Sequence, residues 1–144
     1  MTIKTVLLVD DEENLRFALS SWLTKQGLSV LTAASGEEAI EIVRRDPAVA
    51  VAVLDVNMPG LNGIETLTAL KSMRPELESI IVTGYPTVEY ALEGMRLGAV
   101  EYLSKPCDIH HLFEVVQKAL SRAANNPRFA SDGSNAADPA ETRG

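Results

Sequence analysis

Four acids in succession, Asp10, Asp11, Glu12 and Glu13, follow directly on the apolar run Val6–Val9. Adjacent carboxylates repel one another. Two unit charges ~4 Å apart at an effective dielectric of ~20 cost ~4 kcal/mol. Such a cluster has two readings: acids favour the positive end of a helix, and carboxylates gathered at one point can hold a hard cation. Further on, Asp55 closes the apolar run Val49–Leu54, Thr83 closes Ser79–Val82, and Lys105 lies just past Val100–Leu103. Each has an ordinary explanation alone, as helix starter, strand residue or solvated loop charge. Together they suit a phosphoryl group. Mg²⁺ takes oxygen ligands, keeps several waters and neutralises carboxylate and phosphate charge together; Mn²⁺ is a substitute. Lys105 supplies a point charge for a phosphate oxygen and Thr83 a hydroxyl donor for another. Carboxylates form acyl phosphates, and Asp55, alone at the end of the central strand, is the candidate nucleophile. No Gly-rich Walker loop is present, so nucleotide binding by the chain is not expected.

These residues converge only if the elements carrying them run in parallel. Five β-branched apolar runs read as buried strands: Thr5–Val9, Ser29–Ala33, Val49–Leu54, Ser79–Val82 and Val100–Leu103. Helical spacing fills the intervals. Leu15, Ala18, Leu19, Trp22 and Leu23 stripe a first helix that Gly27 can stop. Ser35 with Glu38 resembles a capping box ahead of a second, which ends at Asp46-Pro47. Ile64, Leu67 and Leu70 stripe a third, Val88, Ala91, Leu92 and Met95 a fourth, and Ile109 through Leu120 a fifth with Asp108 as N-cap. The βα unit thus repeats five times. Continuous apolar strands between helices imply an α/β fold, a doubly wound parallel sheet covered on both faces. Such sheets bind ligands at the carboxyl ends of their strands.

The totals agree with one domain. The chain has 144 residues, 46% of them apolar, and a formal net charge of −7. That length supports one sizeable core, and the acidic balance disfavours direct nucleic-acid binding. A single cysteine, Cys107, excludes an internal disulfide framework. The longest apolar run, Ala48–Leu54, is far below the ~20 residues that span a bilayer. With no signal-peptide pattern at the N-terminus, a cytoplasmic protein is expected. Residues 1–124 read as the domain; residues 125–144, with Phe129 as their one large apolar side chain, read as a disordered tail or the start of a linker.

The stretches "LLVDDE", "VLDVNMPGLNG", "IIVTGY" and "GAVEYLSKP" resemble, in order and spacing, the receiver domain of bacterial two-component response regulators. The resemblance implies a CheY-like, flavodoxin-like sheet of strand order 2-1-3-4-5. It implies that Asp10 and Asp11 serve the metal, that Asp55 is the phosphoacceptor and a metal ligand, and that Asn57 contributes its backbone carbonyl to the metal. Thr83 and Lys105 match the phosphate contacts and Tyr102 the aromatic switch residue, expected to point to solvent before phosphorylation. Lys105-Pro106 is expected to be cis, as is common in the family. The implied partner is a sensor histidine kinase or a histidine phosphotransfer protein. The fourth helix, fifth strand and fifth helix would carry partner docking or a homodimer.

The implied role is a signalling switch that catalyses only its own phosphorylation and slow dephosphorylation. A phosphorylation-independent binding module fits the intact acid set less well. A hydrolase of external phosphate esters lacks a separate general acid. His110 and His111, adjacent on a helix, point different ways and make no ligand pair. Cys107 is expected to pack, and Pro59, Gly60 and Gly63 to shape the turn after Asn57.

Overall fold

The computed structural model describes residues 4–56, 58, 60–84 and 88–126, without the side chains of Val88 and Tyr90. Asn57 and the expected tail from residue 127 onward lie outside the described residues. Strands and helices alternate: β1 (Thr5–Val9), α1 (Glu13–Lys25), β2 (Ser29–Ala33), α2 (Gly36–Arg45), β3 (Val49–Asp55), α3 (Gly63–Met73), β4 (Glu78–Thr83), α4 (Val88–Arg96), β5 (Glu101–Ser104) and α5 (Ile109–Ala124). All strand pairs are parallel, in the order β2-β1-β3-β4-β5.

Alternation along the strands makes two cores. Val6, Leu8, Val51, Val53, Ile80 and Val82 face one side, where Leu23 of α1 and Leu112, Val116 and Ala119 of α5 cover them. Leu7, Val9, Ala52, Leu54 and Ile81 face the other, against Ala39 and Val43 of α2 and Leu67 and Leu70 of α3. The period of two along β1, β3 and β4 therefore sends successive side chains to opposite layers.

Local chemistry sets the helix ends. Gly27 and Gly98 adopt φ of +96° and +92°, the left-handed geometry that closes a helix. Ser35 Oγ accepts from Glu38 N at 3.1 Å, but the Glu38 carboxylate reaches Ala34 N rather than Ser35 N. The reciprocal capping box is instead at α3, where Asn62 and Glu65 exchange side-chain-to-backbone bonds of 2.9 Å. Asp108 caps α5 by accepting from His110 N at 2.9 Å. The Arg74 guanidinium donates to the carbonyls of Val43, Asp46 and Val49, tying the end of α2 to the start of β3.

The two edge strands depart from the expected burial, and in β5 only Leu103 is buried. β2 alternates between exposed and half-buried up to Ala33, and Leu31 is among the exposed large apolar residues. It is an edge strand with only β1 as neighbour, so less of it is covered than of β1 or β3.

Candidate functional site

Register brings the acids together. Val9 pairs with Leu54, so the next residues, Asp10 and Asp55, leave neighbouring strands side by side. Both are buried, at 7% and 6% exposure, whereas Asp11 is exposed. Carboxylate oxygens of Asp10, Asp11 and Asp55 all lie within 4.8 Å of one another. Three hard oxygen donors at that spacing fit a small divalent cation that keeps part of its water shell.

Lys105 enters from the far side of the sheet's edge. It follows β5, and its N–H donates to Thr83 O at 2.7 Å. Its Nζ donates to Asp10 Oδ2 at 2.8 Å and lies 3.5 Å from Asp55 Oδ2. Burial pushes the Lys105 ammonium down, but the hydrogen bond and charge of Asp10 and the charge of Asp55 outweigh it. The net effect holds its pKa above the ordinary lysine value. Thr83, fully buried, ends β4 beside this group. The Lys105-Pro106 peptide is cis.

Both oxygens of Asp10 are engaged: Oδ2 by Lys105, and Oδ1 by Glu12 N at 2.9 Å. The two readings of the acid cluster therefore meet in one residue, which orders the approach to α1 and belongs to the set of carboxylates that could hold a cation. Arg16, absent from the sequence-derived site, donates from its guanidinium to Asp10 O at 2.8 Å. Its signal was weak, because a single arginine on a helix is usually solvated.

Of the two glycines expected to shape the turn, Gly60 carries its positive φ of +75°. Gly63 is the first residue of α3 and meets a different demand. A Cβ there would sit 2.4 Å from Asp55 O and 2.7 Å from Val56 Cα. Helix propensity alone would favour Ala over Gly by ~1 kcal/mol. The backbone clash should override it, so Gly63→Ala is expected to destabilise the protein by about 1–3 kcal/mol and to reduce any reaction at Asp55. Chemical denaturation checks this; an unchanged midpoint would mean that α3 moves away freely.

Tyr102 also departs from expectation. Its ring packs on the α3 side of the core, its hydroxyl is buried, and a Cβ at Gly94 of α4 would lie 3.8 Å from its Cδ2. Glycine at position 94 leaves room for an inward ring. Cys107 is half-buried, and burial pushes its thiol up, away from the reactive thiolate. Trp22 packs edge-on against Phe113 at 5.5 Å and His110 at 5.3 Å, a structural cluster between α1 and α5.

The family model of the response regulator receiver domain matches residues 6–117. The chain belongs to that family. This receiver domain is 37% identical over 136 residues to the response regulator protein FleR of Pseudomonas aeruginosa, an alignment covering 94% of the chain and 28% of FleR. It is 33% identical over 125 residues to sporulation initiation phosphotransferase F of Bacillus subtilis, covering 87% of the chain and 100% of that protein. A CheY-like receiver domain protein from Methanospirillum hungatei superposes with a TM-score of 0.80 at 27% identity, over 84% of this chain and 96% of that one. The receiver spans about a quarter of FleR's length. Among the described residues no helix is long and apolar enough to cross a membrane.

Proposed function

We propose that this receiver takes a phosphoryl group onto Asp55 from a phosphohistidine of a sensor histidine kinase or histidine phosphotransfer protein. The arrangement of Lys105 between two buried carboxylates, with Asp11 completing the acid set, carries this reading. An Asp55 carboxylate oxygen attacks phosphorus, an O–P bond forms, the N–P bond breaks, and the imidazole leaves with the electron pair. Asp10, Asp11, Asp55 and the Asn57 carbonyl are the groups that would hold Mg²⁺, which supplies charge neutralisation when bound. Lys105 turns part of its charge toward the transferred phosphoryl oxygens, and the Thr83 hydroxyl donates to another. The receiver is a switch and not an enzyme acting on an external substrate. Intact-mass analysis after treatment with a small acyl phosphate should show one adduct in Mg²⁺ or Mn²⁺ and none in a chelator. An equal yield in chelator would remove the metal from the proposal.

The signal leaves along β4 and β5. Ile81 pairs with Tyr102, and Thr83, two positions on, lies on the same face as that pair. A Thr83 hydroxyl drawn to a phosphoryl oxygen would alter the packing of the Tyr102 ring against α4. Because the ring is already inward, the switch would tighten an existing arrangement. The responding surface is α4, β5 and α5, where Leu92 and Met95 are exposed and suited to docking or a homodimer. Amide exchange over residues 88–105 should slow with beryllofluoride in wild type and not in Thr83→Ala. The same slowing in both proteins would break this route. Beyond the receiver, a full-length protein could carry an output segment, as the length of FleR suggests.

A further inference from the structure

A cavity of 310 Å³ lies directly beneath the acid cluster, on the face of the sheet that α1 and α5 cover. Its floor is Leu8 of β1, Val53 of β3 and Val82 of β4, each two residues or fewer from a site residue on the same strand. Leu15 and Leu19 of α1 and Leu112 of α5 form its walls. Asp10, Asp55, Arg16, Lys105 and Cys107 stand at its mouth.

We propose that this cavity binds a small neutral aromatic molecule. Size is the first argument. An apolar cavity of ~150 Å³ accommodates benzene, and ligand pockets begin at ~300 Å³; the space holds one or two rings and no peptide helix. Wall chemistry is the second. Ordered water needs two to four polar partners, and the floor and walls are valine and leucine side chains that offer none. Charge is the third. The mouth carries two cations and two carboxylates, and Lys105 already satisfies Asp10 at 2.8 Å and approaches Asp55 at 3.5 Å. Arg16 is held on the Asp10 carbonyl. With Asp11 in the same cluster the carboxylates outnumber the cations, so an anionic ligand is repelled, and an organic cation must displace the bonds that Lys105 and Arg16 already make. Cys107, short and half-buried, lines the same space, where a larger side chain would occupy it.

The mouth is shared with the acid cluster, so occupancy and the state of Asp55 are thermodynamically linked, and the linkage is reciprocal. This consequence rests on Asp55 being the phosphoacceptor; the binding itself does not.

Toluene is a suitable probe. Titration should raise the thermal midpoint by mass action and move the methyl resonances of Leu8, Val53, Val82 and Leu112. Cys107→Phe should fill the entrance, raise the midpoint without ligand and abolish both responses; Leu19→Phe serves the same purpose if that variant does not fold. Beryllofluoride should change the toluene affinity by several-fold. An absence of methyl shifts at saturating toluene, or identical shifts in Cys107→Phe, would overturn the site. So would movement of the same methyls on Phe129→Ala without ligand, since the chain's own C-terminal segment would then be the occupant. Toluene binding that ignores beryllofluoride would overturn the linkage alone.

Discussion

Asp55→Asn should take up no phosphoryl group under conditions where the wild-type receiver is fully modified. The substitution keeps the shape of the side chain and removes the anionic nucleophile. Two other carboxylates stand within 4.8 Å, so the prediction depends on why they cannot substitute. Asp10 has one oxygen on Lys105 Nζ and the other on Glu12 N, and attack by either would first have to break that bond. Asp11 is exposed and one residue further from the strand, where in-line attack is not held in place. Stability should not fall, because one of three mutually repelling charges is gone. Intact-mass spectra with a small acyl phosphate and Mg²⁺ provide the measurement. Full modification of the variant would falsify the assignment of Asp55 and direct attention to Asp11.

Lys105→Met should destabilise the metal-free receiver by about 2–4 kcal/mol. Removing one partner of a buried ion pair costs ~3–5 kcal/mol, and the 21% exposure of the Lys105 side chain lowers that figure somewhat. The loss is not only of one bond. Lys105 is the cation between Asp10 and Asp55, so its removal takes positive charge out of a cluster of three carboxylates. Mg²⁺ should return part of the stability, because it supplies the missing positive charge. Asp11→Asn reverses the sign: it should raise the midpoint in chelator while weakening Mg²⁺ binding. Urea unfolding of both variants, in chelator and in Mg²⁺, tests the pair. If Lys105→Met were equally unstable with and without Mg²⁺, the loss would come from packing rather than charge.

Much of this architecture can be read along the chain. Three of the five apolar runs lie in well-covered strands, and Gly27 and Asp108 mark real helix ends. These features depend on neighbours in sequence: a period of two or 3.6, a capping oxygen, a glycine free to adopt positive φ. The site residues are legible for a related reason. A parallel sheet puts every strand's carboxyl end on one edge, so a residue's position at a strand end already places it near the others.

Tertiary structure decided what depends on distance across strands. Lys105 and Asp10 are 95 positions apart, and nothing local tells whether the lysine binds Asp10, Asp55 or solvent. The engagement of both Asp10 oxygens, which supports the proposal of Asp55 as acceptor, is visible only in the register of β1 with β3 and the path of the loop into α1. Gly63 looked like a turn residue because sequence shows its flexibility; the approach of α3 to the Asp55 carbonyl is a packing fact. Tyr102 points inward because Gly94, on another element, leaves space for it. The edge position of β2 and the cavity beneath the acids arise in the same way. The sequence by itself determined which groups arrive at the sheet edge, through local periodicity and chain direction. Only the folded chain decided which of them touch, because hydrogen bonds and close packing act over a few ångströms between residues that sequence separation does not bring near.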